Sequence, residues 1–440
     1  MSRHPRRTEL GLLFFAWLIG CVAYATVDLA TLDTLPVNYV TLLVGSAAVL
    51  LIGHVVIRRL APHADPVLYP VAAMINLLGL VMIHRLDIAD QLRAQANDNK
   101  SPSSDAVAQA TWVLVALVLF TLVLFFVTDH RKLQRYTFTF LVVGVVLLLL
   151  PLLPIIGTTI NGARLWIRLG PLSFQPSELA KIALTIFFAG YLVRKREALA
   201  TVRRKILGLG IPRGRDFGPL VVAWLVALSI LAFQRDLGTA LMFFGVFAIL
   251  LYVATQRRSW LIIGAVLFAL AAVLGYLAFG HVQLRVKIWL DPWTYANDEG
   301  YQLVQALFGL ASGGLFGTGW GLGRPNLTPL AKTDFISAAI GEELGITGLA
   351  AVIILYGFIV ARGLRAALGG RDPFGKLLAA GLAFVFAIQV FAIIGGVTRL
   401  LPLTGLTTPF MSQGGSSLVA NWMIVAMLMV ISHQARRPAT

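Results

Sequence analysis

The sequence predicts an all-α fold, a polytopic bundle of about twelve transmembrane helices with a large loop on the outer side. Of the 440 residues, 58% are hydrophobic and only 13% are charged, and the mean hydropathy is +0.82. Soluble domains are less apolar and carry about twice as many charges. The apolar residues also come in runs of about 20, the length with which a helix crosses roughly 30 Å of hydrocarbon. An integral membrane protein is therefore expected.

Twelve apolar windows are candidate spans, and each is bounded by charged or turn-forming residues. The windows 218–233 and 237–255 are separated only by Gln234, Arg235 and Asp236, so a re-entrant hairpin is an alternative there. In chain order the windows lie near 9–28, 39–58, 68–84, 109–128, 136–156, 177–193, 218–233, 237–255, 260–280, 336–361, 376–397 and 414–432.

The first window is expected to be a retained helix and not a signal peptide. Its apolar stretch is nearly 20 residues long, as a span requires, and no clear small-residue cleavage site stands before the next window. Cys21 is the only cysteine of the sequence, which excludes an intramolecular disulfide and a multi-thiol metal site.

The distribution of basic residues predicts the orientation. With the N-terminus inside, segments on the cytoplasmic side hold about two-thirds of the 36 Lys and Arg, including the basic cluster in 194–215. An even number of spans places the C-terminus inside as well. This topology accounts for the net charge of +16 without a nucleic-acid partner, and attraction to anionic lipid headgroups is the expected consequence.

Two polar stretches interrupt the windows on the outer side. The first, "RLDIADQLRAQANDNKSPSSD" (85–105), is interpreted as a solvated, mobile loop. The second, 281–335, contains "YQLVQALFGLASGGLFG", in which Leu303, Leu307 and Leu310 recur at helical spacing beside Gln302 and Gln305. That pattern predicts an amphipathic helix lying in the outer interface.

Charged residues gather at the outer ends of the predicted spans. Glu178 and Lys181 lie three apart on one helix face inside a window, so they form either a neutral packing pair or the charged wall of a cavity. A ring of such groups suits a polar, anionic amphiphile whose tail stays in lipid. The other members are Arg164, Arg235, Asp236, Arg285, Lys287, Asp291, Lys332, Asp334, Glu342, Glu343, Arg399 and the segment 408–417.

Two glycine-rich motifs have structural explanations that compete with ligand binding. "GTGWGLG" (317–323) lacks the spacing of a dinucleotide loop and no strand precedes it. "GGSS" (414–417) can start a helix with a serine cap, or its backbone N–H groups can hold phosphate oxygens. No Walker motif and no paired histidine motif is present, which argues against an ATPase or a zinc enzyme.

These residues resemble the shape, elongation, division and sporulation (SEDS) family, to which RodA and FtsW belong, from about Asp65 to the C-terminus. The matching segments, in the family's order and spacing, are "NGARLWI", "QPSELAK", "QRDLGTA", "GYQLVQALFGLASGGLFGTGWG", "TDFISAAIGEELG" and "PFMSQGGSS". The family commonly has ten spans, so residues 1–65 are expected to add two helices to a domain of 66–440.

The resemblance implies a peptidoglycan glycosyltransferase of the bacterial cytoplasmic membrane, which polymerises lipid II on the outer leaflet during elongation, division or sporulation. It also implies a class B penicillin-binding protein as partner. A divalent cation, Mg²⁺ or Mn²⁺, bridging the diphosphates is a candidate cofactor because hard cations prefer oxygen ligands. The alternatives are a lipid II transporter and a non-catalytic scaffold of the same machinery.

The family's essential aspartate lies in the large outer loop, and here the pattern departs. The register falls on Tyr295 of "DPWTYANDEGYQ", so Asp298 is the expected replacement, with Asp291 or Glu299 as alternatives. Arg235 also stands where the family usually has proline. By resemblance, the substrate-binding residues are Arg164, Glu178, Lys181, Arg235, Asp236, Lys332, Asp334, Glu342, Glu343 and Ser416.

Overall fold

A computed structural model describes residues 5–36, 39–97, 102–154, 156–160, 162–169, 172–200, 204–206, 209–211 and 214–438. Within these residues the chain forms fifteen α-helices and five short β-strands. The helices are α1 (Pro5–Leu32), α2 (Tyr39–Leu60), α3 (Leu68–Ala96), α4 (Asp105–Phe126), α5 (Arg131–Arg135), α6 (Thr137–Leu149), α7 (Ser177–Ala200), α8 (Gly214–Phe233), α9 (Leu237–Thr255), α10 (Ser259–Ala278), α11 (Gly280–Leu290), α12 (Tyr301–Gly313), α13 (Ile336–Gly369), α14 (Pro373–Val397) and α15 (Gly415–Arg436).

The predicted helical membrane architecture is confirmed. All twelve apolar windows fall on helices, and nine helices of the described residues are long and apolar enough to cross a membrane. Thr137–Leu152 and Gly218–Phe233 are apolar but shorter. In the basic cluster of 194–215, residues 201–203, 207–208 and 212–213 lie outside the described residues.

Five strands depart from the all-α prediction. The strands β1 (Gly157–Ile160), β2 (Ala163–Leu169) and β3 (Leu172–Phe174) form one antiparallel sheet, and β4 (Arg204–Ile206) pairs with β5 (Leu209–Ile211). The "NG" pair that opens the segment "NGARLWI" is a strong hairpin signal. Gly162 has a φ of 76°, which suits the turn from β1 to β2, whereas Asn161 lies outside the described residues.

The prediction of a solvated loop over 85–105 is wrong. The helix α3 continues to Ala96, and both Arg85 and Asp87 are buried. Residues 98–101 of that stretch lie outside the described residues. Polar side chains extend a helix when tertiary partners compensate their charges, and sequence composition does not show those partners.

The chain divides into two compact units. The first contains Met1–Phe126, Leu284–Arg362 and Gln389–Met429, and the second contains Val127–Gln283, Gly363–Ile388 and Val430–Thr440. In the first unit α1 packs on α3, and in the second α7 packs on α6 and α9. The amphipathic helix predicted in the large loop is α12, which buries Leu303 and packs Leu307 and Leu310 on a core that includes Phe335.

Candidate active site

The segment between α11 and α12 presents Asp298 on a tight turn. The N–H groups of Asp298 and Gly300 both donate to the Tyr295 carbonyl, at 3.2 and 2.9 Å. A Cβ on Gly300 would lie 2.7 Å from that oxygen, so glycine is needed where the turn closes. The Asp298 carboxylate is exposed and has no partner among the described residues. It is therefore available to a ligand, as is the neighbouring exposed Glu299.

Tyr295 and Asp291, the two other positions considered in this segment, make structural contacts. Tyr295, where the family register falls, packs against the core beneath α12. Asp291 accepts hydrogen bonds from the Thr294 hydroxyl at 2.6 Å and from the N–H groups of Trp293 and Thr294. The Thr294 hydroxyl, together with these N–H groups and the charge of Arg399, holds the pKa of Asp291 below its usual value. Asp291 therefore shapes the turn that directly precedes the one carrying Asp298.

Lys332 lies at the centre of a cluster of carboxylates in the first unit. Its Nζ is 2.7 Å from both Asp87 and Asp90 and 2.8 Å from Asp105. An ammonium has three N–H donors, and each has a carboxylate partner here. Burial alone would lower the pKa of Lys332, but these hydrogen bonds raise it above its ordinary value. Lys332 thus holds acidic side chains together, and the substrate-binding role predicted for it stays a prediction.

The Lys332 cluster joins three parts of the first unit. Asp87 comes from α3, Asp105 opens α4, and Lys332 precedes α13. Asp87 also accepts from the Ser104 hydroxyl and the Ala106 N–H, both at 2.8 Å, and so caps α4. Sequence reasoning missed Asp87, Asp90 and Asp105 because their stretch was interpreted as a solvated loop. The i, i+3 spacing of Asp87 and Asp90 directly after an apolar run was the available signal.

The helix α13 is interrupted near its start, and the glycine-rich segment 317–323 donates hydrogen bonds to the carbonyls left unpaired there. Gly345 has a φ of 70°, and the freed carbonyls of Glu342 and Glu343 accept from the N–H groups of Thr318 and Gly319 at 3.0 and 2.9 Å. Three glycines of this segment have positive φ, as that path requires: Gly317, Gly319 and Gly321. The motif is therefore structural, and broken helices of this kind often border binding sites in membrane proteins.

Glu343 forms a buried ion pair with Arg85 of α3. Arg85 Nε donates to Glu343 Oε1 at 2.9 Å, and Arg85 Nη2 donates to the Gly323 carbonyl at 2.8 Å. The other carboxylate oxygen of Glu343 accepts from the Gly321 N–H at 3.1 Å. All these donors and acceptors are satisfied internally, so the pair fixes the broken start of α13 to α3.

Glu342 has a different environment from its neighbour. It lines a cavity of about 310 Å³ together with Gln305, Ser312, Thr318 and Arg324. One of its oxygens accepts from the Arg324 N–H at 2.6 Å, and no cation pairs with it among the described residues. The Arg324 side chain is exposed. This cavity offers a carboxylate and a guanidinium to a polar ligand.

Asp334, two residues after Lys332, lies in a less polar setting. Burial raises the pKa of Asp334 to about 6, against the opposing charge of Arg285. The Arg285 guanidinium donates to the carbonyls of Leu403 and Thr404 at 3.0 and 3.1 Å. Arg285 thus ties the start of the large loop to the segment before α15.

Ser416 lies buried in the first turn of α15. Gln109 of α4 fixes the preceding loop, because its side chain bonds the Ser412 carbonyl and the Gly414 N–H, each at 3.1 Å. The Ser412 hydroxyl donates to the Thr333 carbonyl at 2.6 Å. These contacts hold the loop before α15 in place, and both explanations of "GGSS" stay predictions.

In the second unit, Glu178 and Lys181 form a buried pair in the first turn of α7. Their charged atoms are 2.5 Å apart, and Lys181 is only 1% exposed. Burial of a matched pair is the arrangement expected of a neutral packing pair inside a bundle. The cavity wall that was the alternative stays a prediction.

The remaining predicted residues of the second unit lie in β2 and in the turn between α8 and α9. Arg164 Nη2 donates to the Leu153 carbonyl at 3.1 Å. Asp236 is buried and caps α9 by accepting from the Thr239 N–H at 2.9 Å. Arg235 is exposed and has a φ of 62°, an angle that the proline usual in the family could not adopt.

A metal site is not apparent in the described part of the chain. No group of three or more His, Cys, Asp or Glu is placed there to hold an ion, and the carboxylates of Asp87, Asp90 and Asp105 already share the Lys332 ammonium. The divalent cation stays a prediction.

Comparison with known proteins identifies relatives of nearly the full length. The chain is 48% identical over 436 residues to "Peptidoglycan glycosyltransferase RodA" of Mycobacterium tuberculosis, a match that covers 98% of this chain and 92% of the relative. It is 31% identical over 375 residues to "Stage V sporulation protein E" of Bacillus subtilis, covering 84% of this chain and 98% of the relative.

Solved structures resemble the chain as well. A chain from a peptidoglycan synthase complex that coordinates polymerisation and crosslinking has a TM-score of 0.66 and 27% identity, with 85% of this chain and 99% of that chain covered. RodA of Thermus thermophilus has a TM-score of 0.59 and 26% identity, covering 86% and 98%. The family model described as cell cycle protein (FtsW, RodA, SpoVE) matches residues 66–437. The chain therefore belongs to the FtsW/RodA/SpoVE family of cell cycle proteins.

Proposed function

We propose that the chain is a peptidoglycan glycosyltransferase that polymerises lipid II into glycan strands at the outer face of the cytoplasmic membrane. The observation that carries the proposal is the 48% identity, over 98% of the chain, to proteins named for this activity. A similarity of that extent leaves no part of the catalytic domain unmatched. The polar groups around the large loop of 281–335 supply the chemistry that such a reaction needs.

The reaction requires a base. A sugar hydroxyl attacks an anomeric carbon while the diphosphate leaves, and the hydroxyl proton passes to a carboxylate. Asp298 is the carboxylate we assign to this step. It is exposed on a turn that Gly300 closes, it has no partner among the described residues, and Asp291 shapes the turn directly before it. Glu299 shares the exposure and is the natural control.

The reaction also requires cations that steady the diphosphate. Lys332 and Arg85 are poor candidates, because carboxylates already occupy them. Lys287 and Arg324 are exposed, and no carboxylate pairs with either among the described residues. We assign the leaving-group contacts of the first unit to Lys287 and Arg324, with Glu342 beside Arg324 as a hydrogen-bond acceptor for sugar hydroxyls.

The other predicted substrate residues differ in their contacts. Lys332 and Glu343 pair with charged side chains of neighbouring elements in the first unit, whereas Asp334 and Ser416 remain candidates for direct contact with the substrate. In the second unit, Glu178 and Lys181 pair within α7 and Asp236 caps α9, while Arg164 and Arg235 remain candidates for direct contact.

The proposal includes a partner and an orientation. Glycan strands need crosslinking, and we propose a class B penicillin-binding protein as the transpeptidase that works beside this chain. Both termini are proposed to be cytoplasmic, which places the basic segments at the cytoplasmic face and the loop 281–335 outside. Residues 1–65, which precede the family match, are proposed to be an addition to the catalytic domain.

The experiment is polymerisation of fluorescent lipid II by the purified full chain, alone and with the penicillin-binding protein. The products are resolved by gel electrophoresis and digested with a muramidase. We expect muramidase-sensitive polymer. Headgroup translocation of the same lipid in liposomes is measured in parallel, because a transporter would move lipid II and make no polymer. Translocation without polymer, or binding without either, would overturn the proposal.

A further inference from the structure

The second unit contains a cavity of about 540 Å³ that is unrelated to the candidate active site. Its walls come from the ends of α7, α9 and α13 and from the start of α14. The lining is almost wholly apolar and includes Val193, Val253, Leu364, Leu377 and Phe384. A hydrocarbon chain covers such apolar walls more favourably than water does.

Two basic residues stand among these apolar walls, Arg196 and Lys376. Arg196 Nε donates to the Ala254 carbonyl at 3.1 Å, which anchors the guanidinium at the end of α9. Lys376 is exposed, and its ammonium has no partner among the described residues. No carboxylate belongs to the described lining of the cavity. The charges of the cavity are therefore all positive.

We propose that this cavity binds an anionic phospholipid, with one acyl chain between α7, α9, α13 and α14 and the phosphate at Lys376 and Arg196. An apolar body with a cationic edge is complementary to a chain that ends in a phosphodiester. A zwitterionic lipid would place the ammonium of its headgroup near Lys376 and Arg196, and the like charges would repel each other. A soluble anion would leave the apolar walls uncovered.

The position along the chain agrees with this ligand. The same helix ends carry further basic residues, namely Arg194, Lys195, Arg257, Arg258 and Arg365. Such a concentration marks the side that the positive-inside rule assigns to the cytoplasm. The proposed site therefore faces a leaflet other than the one in which the proposed polymerisation occurs, and it does not depend on that activity.

Native mass spectrometry of the purified full chain in mild detergent tests the site. The chain is titrated with phosphatidylglycerol, phosphatidylcholine or undecaprenyl phosphate. We expect the wild type to retain one phosphatidylglycerol in preference to phosphatidylcholine. Lys376→Gln removes an exposed charge without disturbing the fold, and it should weaken phosphatidylglycerol binding about fivefold, as a loss of about 1 kcal/mol per basic residue implies.

Two further variants separate the headgroup from the chain. Arg365→Gln removes an equal charge from α13 one residue from the lining and should leave binding unchanged. Leu364→Trp fills the cavity and should reduce retention of both phospholipids. Equal effects of Lys376→Gln and Arg365→Gln would overturn the proposal, because unspecific surface charge would then explain the binding. Preferred retention of undecaprenyl phosphate would overturn it also.

Discussion

Lys181 and Lys332 are both withdrawn from water, but their charges are balanced in different ways. Lys181 forms an ion pair with Glu178, three residues earlier on the same helix. Lys332 pairs with three carboxylates that belong to two other helices. The first pair is local, because both residues belong to one helix turn. The second has a net charge of −2 and joins segments more than 200 residues apart in sequence.

The difference decides what each lysine does. An ion pair inside one helix turn adds little to tertiary structure by itself, since both partners move with the same helix. A cation shared by α3, α4 and the segment before α13 holds the base of the large loop in place. The loop that carries Asp298 therefore depends on Lys332 more than on Lys181.

The largest effect is expected where burial is most complete. Lys181→Met leaves the Glu178 carboxylate buried without a cation, which should reduce the free energy of unfolding by about 3–5 kcal/mol. The double variant Glu178→Met, Lys181→Met should recover most of that loss. Unfolding in mixed micelles measures both. A loss below about 1 kcal/mol in the single variant would mean that water reaches the pair.

Lys332→Met should cost somewhat less, about 2–3 kcal/mol, because Asp90 and Asp105 keep part of their hydration. Lys287→Met is the matched control in the same unit and should change the free energy of unfolding by less than about 0.5 kcal/mol. Equal changes in the free energy of unfolding for the two variants would show that the Lys332 cluster contributes no more to stability than an unpaired lysine does.

The three carboxylates of the Lys332 cluster should not be equivalent. Asp87→Asn should lower the free energy of unfolding by about 1.5–3 kcal/mol, because the buried Asp87 also caps α4. Asp90→Asn should lower it by less than about 1 kcal/mol, since that carboxylate is about half exposed. The same unfolding assay compares them, and the reverse order would show that the cap contributes nothing.

Asp334, two residues after Lys332, should make the free energy of unfolding depend on pH. Its folded pKa of about 6 lies above the usual value near 4, so the folded state binds more protons between these pH values. The contribution of Asp334 to stability should therefore fall as pH rises from about 4 to 6. Asp334→Asn should remove that part of the stability profile, measured by unfolding at several pH values.

Asp372 in the second unit should act in the opposite direction. Burial tends to raise the pKa of Asp372, but hydrogen bonds from His130 and the Gly375 N–H hold it below the usual value. The stabilisation from Asp372 should be present above its unfolded pKa near 4 and should be lost at more acidic pH. Asp372→Asn should show no such loss, and a flat profile in the wild type would contradict the assignment.

Local features of this molecule could be predicted from the sequence. Hydrophobic windows located twelve helices because apolar length and membrane thickness are directly related. The Glu178–Lys181 pair and α12 followed from helical spacing alone. Each of these features depends on residues within a few turns of one another.

Features that depend on distant residues could not be predicted. The Lys332 cluster brings residues 87, 90, 105 and 332 together in space, and no periodic pattern in the sequence indicates that they are in contact. The break of α13 at Gly345 depends on hydrogen bonds from Thr318 and Gly319. The sequence also does not distinguish Asp298 from Asp291 as the candidate base. Only the fold shows that the Asp291 carboxylate is hydrogen-bonded to Thr294 while that of Asp298 has no partner among the described residues.

The most direct measurement is the rate of lipid II polymerisation by Asp298→Asn beside Glu299→Gln, in protein that unfolds like the wild type. Loss of a general base should slow the Asp298 variant by about 100-fold or more. The polymerisation rate of the Glu299 variant should stay within about threefold of the wild-type rate, because Glu299 is exposed and charged like Asp298 but is not the general base. A wild-type rate in Asp298→Asn, or equal losses in both variants, would contradict the account.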